Sequence, residues 1–230
     1  MKIGIIAAME QEAREIISKL ENLKETVKAN QHFYEGKIQD VPVVLVQSGI
    51  GKVNASIAAT LLIELYSVEA VINTGSAGGI GDDLAVEDLV ISKELAYNDA
   101  DARAFGYDFG QIPQMPSRYT SDEHLVNVFK QAALKKNWEI KEGLIVTGDS
   151  FISDKKKVLE IREQFSDVLV TEMEGAAIAQ TCYQFGIPFV VIRAVSDVSD
   201  EEASLSFDEF IEKVGKKSAE TVLEFIRLVN

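Results

Sequence analysis

Four carboxylates stand where apolar runs give way to loops or helices: Glu12, Glu172, Glu174 and Asp197. A carboxylate at the mouth of a buried element is costly to desolvate, so each must reach water or bind something. Working without a metal, a histidine or a thiol, such groups suit acid/base or glycosyl-transfer chemistry. One acid protonates a leaving group while another activates water. A carboxylate also suits a ribose diol, because its oxygens accept hydrogen bonds from adjacent hydroxyls. Each acid taken singly reads as well as a helix-start or loop residue stabilised by amide dipoles. Their joint placement at the ends of separate strands favours function.

Other chemistries find little support. TGSAGGIG lacks the Lys-Ser/Thr ending of a phosphate-binding loop, and SGIGK is followed by Val53 where a metal-binding hydroxyl would stand. These glycines read either as tight turns or as places where a ligand meets bare backbone, with Gly78 and its neighbours, Ser76 among them, as the candidates. No Cys or His cluster has metal-ligand spacing, and Asp99 and Asp101 lack the rest of a calcium loop, so no metal is expected. Cys182 is the single cysteine and reads as a buried inert thiol, since neither His32 nor His124 lies in a suggestive setting.

The 230 residues are 47% apolar and 26% charged, ordinary for a globular chain, and long enough to bury a sizeable core. A formal net charge of −14 argues against a nucleic-acid partner, which needs clustered Lys and Arg. The opening MKIGIIAAMEQEA has too short an apolar run for a secretory signal, and no stretch approaches the ~20 apolar residues of a membrane span. A cytoplasmic protein with no membrane partner is expected.

The elements that must position these acids alternate between short apolar strands and helical patterns, as in an α/β sheet. Strands are expected at 3–7, 33–38, 41–46, 70–73, 89–97, 143–146, 168–171 and 187–194, with a hairpin turn at Gln39-Asp40. Helices are expected at 12–20, 53–65, 124–136, 155–165, after Glu174, and at 207–228. The segment NDADARAFGYDFGQIPQMP is long and irregular, which in a compact domain points to function or an interface. No repeat or linker divides the chain, so residues 1–230 read as one domain. Polar residues gather just past strand carboxyl ends, the edge that lines the ligand crevice of open α/β sheets.

In order along the chain come AAMEQE, SGIGKVNA, NTGSAGG, AFGYDFGQIP, GDSFI, EMEGAAIA, RAVSD and LSFDEF. In this combination the sequence resembles the 5′-methylthioadenosine/S-adenosylhomocysteine nucleosidases of the purine nucleoside phosphorylase/uridine phosphorylase superfamily, from Met1 through the last helix. The resemblance implies a three-layer α/β/α domain with a twisted mixed central sheet, no cofactor, and hydrolysis of 5′-thio-adenine nucleosides. It implies that Asp197 protonates adenine N7, helped by Ser196, and that Glu12 orients and deprotonates the attacking water. Glu174 would grip the ribose hydroxyls with Met173 against the sugar. Phe151 would stack on adenine, backbone at Ile152 would read its edge, and Arg193 and Glu172 would order nearby polar groups. Met9, Ile50 and Phe207 would line the 5′-alkylthio pocket. A homodimer is implied, with the Phe105–Pro113 loop reaching the partner's site.

Ala7 stands where the family pattern has glycine, a change expected to crowd the first strand-helix turn only mildly. Glu10 and Glu12 at that turn would repel phosphate, which favours water as nucleophile over phosphorolysis. Asp197 must carry a proton to act as the acid, so its site should be partly desolvated. A nucleoside-binding protein without turnover and a nucleoside phosphorylase are the competing readings. Within LVTEMEGAAIAQ the strand is expected to end near Thr171, leaving Glu174 to face the sugar and Glu172 to hold water or polar neighbours.

Overall fold

Runs rich in Val and Ile become strands with both faces covered, which is why they read as continuous apolar stretches rather than alternating ones. In the computed structural model, which describes residues 1–199 and 203–229, Ile3–Ala7 (β1) is buried at every position. It lies between Val41–Gln47 (β4) and Ala70–Gly79 (β5), parallel to both, with Ala7 opposite Gln47 and Thr74. Gln31–Ile38 (β3) and Glu21–Lys28 (β2) extend this side as antiparallel neighbours.

On the other side of β5 the sheet turns back on itself. Phe189–Asp197 (β10) runs parallel to β5, with Arg193 opposite Gly75 and Asp197 opposite Gly78. It also pairs antiparallel with Leu89–Tyr97 (β6). Strand β6 pairs with Ile140–Thr147 (β8), which pairs with Val168–Glu172 (β9), and β9 returns to Gly78 and Gly79 at the end of β5. A short strand, Tyr119–Thr120 (β7), adds to β6.

Helices cover both faces. Glu10–Ile17 (α1), Glu123–Lys135 (α3) and Ala203–Leu228 (α6) share one core, in which Phe129 stacks on Phe225 at 4.2 Å. Lys52–Tyr66 (α2) and Gly175–Phe185 (α5) pack on the opposite face. Lys155–Gln164 (α4) closes a smaller core beside β8 through Ile161 and the adjoining Phe165. The expected three-layer α/β/α arrangement around a mixed sheet is present. Among the described residues no helix is long and apolar enough to cross a membrane.

Several boundaries differ from expectation for physical reasons. The strand expected at 70–73 continues through TGSAGG to Gly79, so this glycine run is sheet and not loop. Strand β10 likewise runs on to Asp197, with a register shift between Val195 and Asp197. Strands β2 and β7 carry no strand signal in the sequence. The stretch ENLKETVK is exposed nearly throughout and lacks an apolar alternation, and its pairing is set by the turn Ala29-Asn30 with φ of 49° and 61°. The expected turn at Gln39-Asp40 has the same left-handed backbone, with φ of 48° and 69°. The irregular 98–118 segment holds only a 3-10 turn, Arg103–Phe105, and a bridge between Asp101 and Phe109.

Candidate active site

Glu12 sits in the first turn of α1, where unpaired amides favour a carboxylate. One oxygen accepts the N–H groups of Ala8 and Met9, each at 3.1 Å. The other accepts the Ser76 N–H at 2.9 Å and lies 3.0 Å from its hydroxyl. Glu10 behaves differently from expectation: it is exposed and pairs with Arg14 at 3.3 Å, so of the two acids at this turn only Glu12 faces inward. Ala7 is fully buried in the β1 ladder, and its carbonyl accepts the Ser48 N–H at 2.9 Å.

Glu172 ends β9, one residue beyond the expected limit, and Glu174 is the N-cap of α5. Glu172 accepts the N–H of Glu174 at 3.0 Å and of Gly175 at 2.7 Å, and the Thr147 hydroxyl donates to its other oxygen. It therefore caps α5 and does not need water to be satisfied. Glu174 accepts the Gly51 N–H at 2.9 Å. The chain turns after Glu172, so Met173 and Glu174 both border the same cavity.

Arg193 of β10 joins the two acids. Its guanidinium donates to Glu172, to Glu174 at 3.3 Å, to Asn73 Oδ1 at 2.5 Å and to the Ser76 carbonyl at 3.3 Å. Burial works against its charge, but Glu172, Glu174 and Glu12 outweigh that and hold its pKa above the ordinary arginine value. Burial pushes the Glu174 carboxyl up to about 7; Arg193 opposes the rise and Glu172 reinforces it. A buried charge survives only when paired in this way.

Asp197 is almost fully buried at the end of β10. Its Oδ2 lies 2.8 Å from the Ser196 hydroxyl and its Oδ1 accepts the Ser199 N–H at 2.9 Å. Gly78 opposite it leaves the space: a Cβ there would collide with the Ser199 hydroxyl and lie 3.1 Å from Asp197 Oδ1. At Gly75 a Cβ would lie 2.5 Å from Arg193 Nη1 and 2.6 Å from Glu12 Oε1. Both glycines make room for the protein's own side chains, the close-packing role of such glycines.

These groups surround a cavity of about 100 Å³. Its wall includes Met9, Glu12, Ile50, Ser76, Gly78, Phe151, Glu172, Met173, Glu174, Arg193, Ser196, Asp197 and Phe207. Phe151 and Phe207 meet edge to face there, their ring centroids 5.9 Å apart. Ile152 lines an adjoining recess with Phe151, Met173, Asp197 and Ser199. Phe105 and Pro113 lie outside this wall, and Phe105 is 83% exposed. Ala8, Ala77 and Thr171 complete the wall; Ala8 and Thr171 sit in apolar runs and carry no chemical signal, while Ala77 adjoins Gly78 within TGSAGG. Asn73 and Thr147, buried polar residues within strands, were detectable on that ground alone. Cys182 is buried, and burial pushes its thiol up to about 12, as an inert thiol should be.

Comparison with known proteins places the chain in a family. The model of the phosphorylase superfamily matches residues 2–227. A 5′-methylthioadenosine/S-adenosylhomocysteine nucleosidase of Exiguobacterium sp. is 51% identical over 224 residues, covering 97% of this chain and 96% of that one. The crystal structure of the nucleosidase of that name from Neisseria meningitidis, in complex with methylthio-immucillin-A, is 46% identical and gives a TM-score of 0.97 over 98% of each chain. The Colwellia psychrerythraea nucleosidase in complex with adenine gives 0.96 at 42% identity, covering 99% of this chain and 95% of that one. The chain belongs to the phosphorylase superfamily and, within it, to the 5′-methylthioadenosine/S-adenosylhomocysteine nucleosidases.

Proposed function

We propose that this protein hydrolyses the N-glycosidic bond of 5′-methylthioadenosine and S-adenosylhomocysteine, and of 5′-deoxyadenosine, releasing adenine and the 5-substituted ribose. That reaction serves methionine salvage and the recycling of S-adenosylmethionine by-products. The observation that carries the reading is the convergence of Glu12, Glu174 and Asp197, from three separate elements, on one cavity.

Asp197 donates a proton to adenine N7 as the bond to N9 breaks, making the leaving base neutral. Ser196 and the Ser199 amide hold its carboxyl in place. Positive charge building on the ribose is stabilised by the acids around it. Glu174, anchored by Gly51 and Arg193, grips the sugar hydroxyls. Three of the four donors on Glu12 are backbone amides; the Ser76 hydroxyl alone can rotate away and yield its place to the attacking water. Water attack from the Glu12 side gives inversion at the anomeric carbon. Phe151 with the Ile152 backbone holds the base, and Met9, Ile50 and Phe207 hold the 5′ group.

Hydrolysis is favoured over phosphorolysis by charge. Among the described residues Arg193 is the one cation of the cavity wall; its Nη1 donates to the Ser76 carbonyl and its Nη2 to Asn73, Glu172 and Glu174, while its buried Nε has no hydrogen-bond partner among the described residues. A phosphate would meet four carboxyl groups, and the one guanidinium beside it is already paired with two of them, Glu172 and Glu174. Pure binding would need neither Glu12 nor Asp197.

Residues 1–230 act as one domain, a reading supported by the described strands all entering a single sheet. Its acidic composition and lone buried thiol fit a cytoplasmic enzyme. It works as a homodimer: α2 turns Val53, Ile57 and Leu65 outward at helical spacing, and Phe105 is exposed at the tip of the 98–118 segment. Appearance of free adenine from methylthioadenosine, followed by absorbance, tests the reading. Tight binding without adenine release would reduce the protein to a nucleoside binder.

A further inference from the structure

Three loops past strand ends meet beside the active site, after β4, β6 and β8. They are joined by Lys52, Asp99 and Asp149, none of which carries a role in the hydrolysis described above. Lys52 Nζ lies 2.7 and 2.8 Å from the Asp99 oxygens and 3.7 Å from Asp149 Oδ2. Asp149 donates its own N–H to Asp99 at 3.0 Å. The lysine thus separates two acids that would otherwise repel each other.

The more informative bond is to backbone. Helix α2 begins at Lys52, and Gly51 before it has no side chain to serve as cap. Asp149 supplies the cap from another loop, accepting the Lys52 N–H at 2.8 Å. The preceding amide, Gly51 N–H, donates to Glu174 at 2.9 Å. Two consecutive amides are therefore each held by a carboxylate from a different loop. They hinge at Gly51, whose φ of 102° lies where glycine is favoured and where the backbone is freest to pivot.

We propose that Asp149, set in place by Lys52 and Asp99, is a positioning residue for ribose recognition: it fixes the Gly51 amide that aims Glu174 at the sugar hydroxyls. The inference rests on reading Glu174 as the ribose-binding carboxylate. All three ionic side chains are a quarter or more exposed, so their ion pairs add little stability. What they specify is orientation, and a small misorientation of a substrate-holding group costs far more in rate than in folding.

The test compares methylthioadenosine with its 3′-deoxy counterpart, which lacks one hydroxyl that Glu174 would hold. Asp149→Ala should lower the ratio of kcat/KM between the two substrates by about tenfold, the effect of weakening one charge-assisted hydrogen bond. Inhibition by free adenine should stay within about twofold of wild type, because the base contacts are not involved. Asp149→Asn keeps an oxygen for the Lys52 amide and should restore most of the ratio. Lys52→Met leaves the backbone cap in place and should shift the ratio in the same direction, which keeps the test decisive if Asp149→Ala does not fold. An unchanged ratio in folded Asp149→Ala, or in Lys52→Met, overturns the proposal. So does adenine inhibition weakening in parallel, which would place the effect on the Phe151 loop. Glu174→Ala is the control for the underlying reading. If it abolishes the discrimination while the Asp149 variants do not, only the positioning role fails; if it leaves discrimination intact, the ribose reading fails with it.

Discussion

The backbone N–H of Glu174 donates to the side chain of Glu172 at 3.0 Å, so the first acid of this junction fixes the segment that carries the second. Glu172 also caps α5 and pairs with Arg193. The two glutamates are two residues apart and divide the work: one builds the site, and the other faces its cavity with one oxygen tied to Gly51.

Removing Glu172 should therefore be a stability event first. Glu172→Ala leaves Arg193 buried with one counter-charge fewer and uncaps α5, and a broken buried pair costs about 3–5 kcal/mol. Glu172→Gln retains an acceptor for the amides and should cost markedly less. Urea unfolding of both variants checks this. Equal, small losses would mean that Glu172 does not hold the junction.

Gly75→Ala tests the packing of the acid cluster. The added methyl would fall at 2.5 and 2.6 Å from Arg193 and Glu12, so at least one must move. Overpacking of this kind costs about 1–3 kcal/mol in stability. Displacing Glu12 by about 1 Å should lower kcat by about 10²-fold. Steady-state kinetics at a temperature where the variant is folded separates the two effects, and a near-normal kcat would contradict the geometry.

The pH dependence of stability carries a sign set by Glu174. Its native pKa, about 7, lies above the ordinary value of 4.5. The unfolded chain loses this proton first, so the group's contribution is fully present below about 4.5 and is lost as pH rises through about 7. Glu174→Gln removes that dependence. The Tm of the variant minus that of wild type should increase from pH 5 to pH 8; parallel curves would refute the assignment.

Asp197→Asn removes the proposed proton donor while keeping the shape of the side chain. General acid catalysis is worth about 10²–10⁴-fold, and kcat should fall by that order with adenine binding retained. Glu12→Gln should likewise lose the chemical step. Full turnover in Asp197→Asn would sink the mechanism.

Much of this was legible in the residues. Apolar runs marked most of the sheet, because strands covered on both faces leave a strong signal. Acids at run ends marked the site, because a carboxylate is tolerated there only with a partner. What failed to show has physical causes too. TGSAGG reads as a turn, yet it is strand, since glycine here makes room for Arg193, Glu12 and Ser199 and does not bend the chain. The strand β2 is exposed and polar, so only its turn and its pairing with β3 define it. Glu10 and Glu12 are indistinguishable by type, and only the helix phase sends one to solvent and the other to Ser76.

The central claim is that water, and not phosphate, attacks the sugar. The direct measurement is adenine release from methylthioadenosine in phosphate-free buffer and in excess phosphate, with the sugar product identified by ¹H and ³¹P NMR. The account predicts equal rates in both and a free 5-methylthioribose with no phosphorus. Turnover that requires phosphate and yields a sugar 1-phosphate would contradict it.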